Sequence, residues 1–90
     1  MTAITLASVQ ATAKSELTRA QKAFTKQPNA FNWIATTRAM LVHQQVQSSY
    51  AHLTASTLCD KLAALPLGDW PEAIVAHTTG QTIDQALQFN

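Results

Sequence analysis

From Thr5 to about Gln27 the chain contains no Gly or Pro, and Leu6, Val9, Ala13, Leu17, Ala20 and Phe24 recur at alternating steps of three and four. That spacing gathers apolar side chains on one stripe of a helix and on neither face of a strand, so the first quarter of the chain is committed to an amphipathic helix. Pro28 and Asn29 end it. Proline cannot continue the ladder and pushes Gln27 out of helical dihedrals, while Asn29 or Asn32 is suited to cap a second helix. A helical hairpin is the expected result, with Phe31, Ala35, Val42, Val46, Tyr50 and Leu53 on one face of a second helix running from Ala30 to about His52.

Further punctuation divides the remainder. Thr54-Ala55-Ser56-Thr57 forms a capping cluster, with Thr57 and Asp60 at capping-box spacing, so a break is expected there; a continuous helix from Ala30 to Leu65 is the rival. The third segment carries Leu58, Leu62 and Leu65 and ends at Pro66-Leu67-Gly68. Asp69, Pro71 and Glu72 read as cap, early proline and capping-box acid of a helix from Trp70 to about Thr78, closed by Gly80. Thr82 and Gln85 repeat the capping pattern for a terminal helix, Ile83 to Phe89. No segment alternates long enough to make a strand. The fold class is therefore all-α, a bundle of four to five helices built on a long N-terminal hairpin, with residues 1–90 forming one domain.

Composition bears on how such a bundle is completed. Of the 90 residues 47% are apolar and 12% charged, but sixteen of the apolar ones are Ala, which leaves few side chains large enough to build a core. Small domains with thin cores are commonly completed by association, so a homo-oligomer is expected. The Leu6 to Phe24 seam, narrow and rich in Ala, is the expected interface. Trp70, at a helix start after a turn, is the aromatic residue expected to touch a partner, and Phe31 the one expected in the core.

Charge is uneven: +4 over residues 1–50 and −3 over residues 51–90, for a net +1. Lys14, Arg19, Lys22 and Lys26 form a basic stripe on the first helix. Such a stripe suits an acidic partner or phosphates, or is a solvated face with Lys22 and Lys26 complementing the negative helix end.

Little points to catalysis. His43, His52 and His77 have no histidine, cysteine or carboxylate three or four residues away, and neither metal nor cofactor is expected. His52 and Cys59 are seven apart, about 10 Å along a continuous helix, too far to hydrogen-bond. The single Cys cannot close an internal disulfide, the first residues lack the basic and apolar pattern of a signal peptide, and no apolar run approaches the length of a membrane span, so the chain reads as cytoplasmic.

One stretch resembles a known element. Residues 43–62, HQQVQSSYAHLTASTLCDKL, are similar to the helix-turn-helix of bacterial repressors, and the last ten to their recognition helices. The resemblance implies DNA reading by Ser56, Thr57 and Lys61, with the basic stripe on phosphates. His52 stands where that family has Gly, and Gln47 where it has an apolar residue. Two readings follow. The leading one is a non-enzymatic accessory, regulatory or inhibitory protein that binds another protein; size and composition suit a phage or mobile-element product. The alternative is a DNA-binding regulator using residues 44–62.

Overall fold

The computed structural model describes residues 4–88; the expected helical turn at Phe89 lies outside them. Among the described residues there are six α-helices and no strand: α1 (Leu6–Lys26), α2 (Ala30–Val46), α3 (Ser49–Leu53), α4 (Ala55–Ala63), α5 (Trp70–Thr79) and α6 (Ile83–Ala86), with a 3₁₀ turn at Leu67–Asp69. The all-α class and the long hairpin are as the sequence implies.

α1 opens with a reciprocal cap in which the Thr5 hydroxyl accepts from the Ser8 N–H and the Ser8 hydroxyl from the Thr5 N–H, at 3.2 and 3.1 Å. Asn29 caps α2 by accepting from the Asn32 N–H at 2.8 Å, and Asn32 reaches back to the carbonyl of Gln27 at 2.9 Å. These two asparagines fold the hairpin by satisfying groups that both helix ends leave orphaned. Farther along, the Thr36 hydroxyl, buried between the helices, donates to the carbonyls of Asn32 and Ala20 at 2.8 and 3.2 Å. Phe24 and Trp33 pack at a ring separation of 5.6 Å. Where α2 ends, Gln10 donates to the Val46 carbonyl at 3.0 Å.

α4, α5 and α6 close one end of the hairpin. The core unites Val9 and Ala13 with Val42 and Val46, with Leu58 and Leu62 of α4, and with Ile74, Val75 and Ile83. Gly80 adopts φ 73°, the left-handed cap expected of it, and Thr82 with Gln85 forms the expected box at the start of α6. Cys59 is buried, and that burial, with the Asp60 charge second, pushes its thiol pKa up.

The second helix is shorter than its periodicity implies. It stops at Val46 because the Ser48 hydroxyl donates to the Gln45 carbonyl and accepts from the Ala51 N–H, giving the backbone a local alternative to the helix. This break changes the phase. Ala51 enters the core instead, while Tyr50 and Leu53 face outward, Leu53 with 85% of its surface exposed. The next break falls at Thr54, inside the expected Thr54-Ala55-Ser56-Thr57 cluster, but the Thr57–Asp60 box is not formed and Asp60 lies inside α4.

Asp69 makes no side-chain cap, because the 3₁₀ turn delivers it in αR geometry, φ −93° and ψ −4°. Glu72 acts elsewhere: its carboxylate accepts from the Ile83 N–H at 3.3 Å, holding the start of α6.

Candidate functional site

The hairpin is covered on one flank by α5 and left open toward its tip, and a groove of about 730 Å³ runs along that opening. Ala13, Ala20 and Ala23 of α1 and Ala35 and Ala39 of α2 line it; these short side chains leave a depression between the helices that larger ones would fill. Leu67, Trp70 and Pro71 form one wall, and Phe31 and Ile34 the open end. Phe31 is 79% exposed, Ile34 56% and Leu67 60%. Large apolar side chains this exposed around a concave apolar floor are the usual mark of a binding surface.

Charged groups stand at the rim in ion pairs, with one carboxylate in excess. On α1, Arg19 Nη2 lies 2.8 Å from Glu16 Oε1. Across the groove, Arg38 bridges Asp84 at 2.6 Å and Glu72 at 3.3 Å, joining α2 to α5 and α6. The site is thus an apolar trough between paired charges.

Of the expected interface residues, Val9, Ala13, Ala20 and Trp70 line the groove, and Leu6, Leu17 and Phe24 do not. Val9 and Ala13 are buried within the chain's own core, so this part of the seam is intramolecular; Leu6, Leu17, Ala20 and Phe24 are half-buried. Phe31, expected in the core, is the most exposed aromatic residue among the described residues, because α5 does not reach the hairpin tip. Trp70 is half-buried and uses its indole N–H on the carbonyl of Leu62 at 3.0 Å, so much of it serves the fold while one side of the ring lines the groove.

Lys14, Lys22 and Lys26 are exposed along the outer side of α1, with Arg19 drawn toward Glu16. Ser56 and Thr57 are exposed on α4, but Lys61 turns to His77, its ammonium 3.2 Å from Nδ1. The joint between α3 and α4 is the single residue Thr54, whereas a helix-turn-helix needs a turn of three or four residues between longer helices. The local geometry departs from the repressor element at that point.

Around His77 a polar chain can be followed proton by proton. Thr54 Oγ1 lies 2.6 Å from the Tyr50 carbonyl, which can only accept, so the hydroxyl donates there. It therefore accepts from His77 Nε2–H at 2.7 Å, and His77 Nδ1 accepts from Lys61. The ring is the neutral Nε2–H tautomer, packed 5.4 Å from Tyr50. Burial, with Lys61 second, lowers its pKa. With its proton directed to a carbonyl, Thr54 is not activated as a nucleophile, and the cluster ties α3, α4 and α5 together.

His52 Nδ1 lies 2.9 Å from the Ser48 carbonyl, so that nitrogen carries a proton and stays within its own helix. Among the described residues no group of three or more His, Cys, Asp or Glu comes together to hold a metal ion, and no helix is long and apolar enough to cross a membrane. Compared with known proteins, the chain matches no family model, no curated protein and no solved structure.

The sequence reading missed Phe31, Ile34, Leu67 and Arg38 as site residues. Phe31, Ile34, Ala35 and Arg38 do share a helical stripe by spacing; only the placement of α5 decides which part of it stays open.

Proposed function

We propose that the protein is a non-enzymatic binding module whose open hairpin face receives a helical segment of another polypeptide. The observation that carries this reading is the exposure of Phe31, Ile34 and Leu67 around an apolar trough with ion-paired rims. Helix-in-groove recognition uses such a surface, with apolar anchors at helical spacing settling onto a floor of small residues. An accessory, regulatory or inhibitory role fits a chain that offers such a surface. Cys59, a lone buried thiol, suits a reducing, cytoplasmic setting.

The test is a photo-crosslinking side chain introduced at position 34 in the native host, with position 57 on α4 as the control. Adducts to a polypeptide at 34, absent at 57 and lost when Phe31→Ser is added, support the reading. No adduct at 34, or equal adducts at both positions, overturns it.

A further inference from the structure

The α1 rim of the groove is formed by Thr12, Glu16, Arg19 and Ala23, one stripe with steps of four, three and four. That set is symmetric about the midpoint between Leu17 and Thr18. A twofold axis through this midpoint, with α1 antiparallel to α1 of another copy, sets Glu16 opposite Arg19 of that copy and Thr12 opposite its Ala23, and does so twice. Resting on the reading of the groove as a protein-binding face, we infer that its occupant is a second copy of this chain, docked by antiparallel α1 pairing across the groove rim.

Three observations support a second copy. The rim charges are complementary to themselves only in the antiparallel arrangement; a parallel one puts Glu16 against Glu16. The exposed Glu16–Arg19 pair, one turn apart on one helix, then becomes part of a four-charge cluster without any new residue. The net charge of +1 offers little repulsion between copies.

From Thr12 to Ala23 the contact is about 16 Å long at the helical rise. The same axis carries the exposed tip of each hairpin, with Phe31 and Ile34, alongside the N-terminal half of the other copy's α1.

The experiment is sedimentation of the wild-type chain, Glu16→Arg, Arg19→Glu and an equimolar mixture of the two variants. Both side chains are at least half exposed, so the helix is retained, and circular dichroism checks it. Wild type is expected to dimerise at micromolar concentration. Each variant places like charges opposite each other and weakens the dimer by at least about tenfold. The mixture pairs a chain with Arg at 16 and 19 with one carrying Glu at both, and regains wild-type association as a heterodimer. A monomeric wild type at high micromolar concentration, variants that dimerise as wild type does, or a mixture that stays monomeric each overturn the inference. None of these results bears on adducts from position 34 to a different polypeptide, so the groove reading fails or stands separately.

Discussion

The indole Nε1 of Trp70 donates to the carbonyl oxygen of Leu62 at 3.0 Å, so the first residue of α5 closes the last turn of α4. The Leu62 carbonyl also accepts from the Leu65 N–H at 3.1 Å, so the side chain from the next helix adds a second donor at this helix end. The same ring lines the groove, which makes Trp70 a hinge post between fold and binding face. Trp70→Phe keeps the aromatic packing and removes the donor. It is expected to lower stability by about 1 kcal/mol in urea unfolding; a change indistinguishable from zero would show that water replaces the indole.

Glu72 both pairs with Arg38 and accepts from the Ile83 N–H. Glu72→Gln keeps the acceptor and loses the charge, and is expected to cost less than about 1 kcal/mol, since half-exposed ion pairs contribute little. Glu72→Ala leaves the Ile83 N–H without its acceptor and costs more, about 1–2 kcal/mol. Urea unfolding of the two variants ranks them; equal losses would contradict the capping role.

His77 makes stability depend on pH. Its folded-state pKa lies below the ordinary histidine value, chiefly through burial and then through Lys61, so the unfolded chain binds the proton more readily. The contribution is therefore fully present above about pH 6.5 and is lost as pH falls through the folded-state pKa. Melting temperature is expected to fall from pH 7.5 toward pH 5, and His77→Gln to flatten that part of the profile. Lys61→Met should raise the His77 pKa in an NMR titration without bringing it fully to the ordinary value, because burial remains.

Phe31→Ser separates binding from folding. With 79% of its surface in solvent, Phe31 contributes little to the core, and the substitution is expected to change stability by less than about 0.5 kcal/mol. Leu58→Ala, at a fully buried position, is expected to cost about 2–5 kcal/mol. If Phe31→Ser proved as costly as Leu58→Ala, the tip of the hairpin would belong to the core and not to a binding face.

The parts of this fold that the sequence makes legible are those set within a few residues. The Thr5 start, the Pro28 break, the Gly80 cap and the Thr82–Gln85 box each follow from backbone geometry that one or two side chains decide. The Ser48 break was hidden because a serine inside an apolar period can remain helical or bond back to its own backbone, and contacts beyond the segment decide between them. Asp69 and Glu72 had capping-box spacing, yet the 3₁₀ turn set the first in αR, and Arg38 with Ile83 drew the second away. The groove was the least legible feature. Phe31 and Val42 lie on the same apolar stripe of α2, and spacing cannot say that α5 covers one end and leaves the other bare.

The claim that the open hairpin face is where this protein binds is tested most directly by the mass of the product crosslinked from position 34 in the host. A polypeptide adduct is expected at 34, absent at 57 and abolished by Phe31→Ser, with twice the chain mass if the second copy is the occupant. No adduct at 34, or adducts of equal yield at 34 and 57, would contradict it.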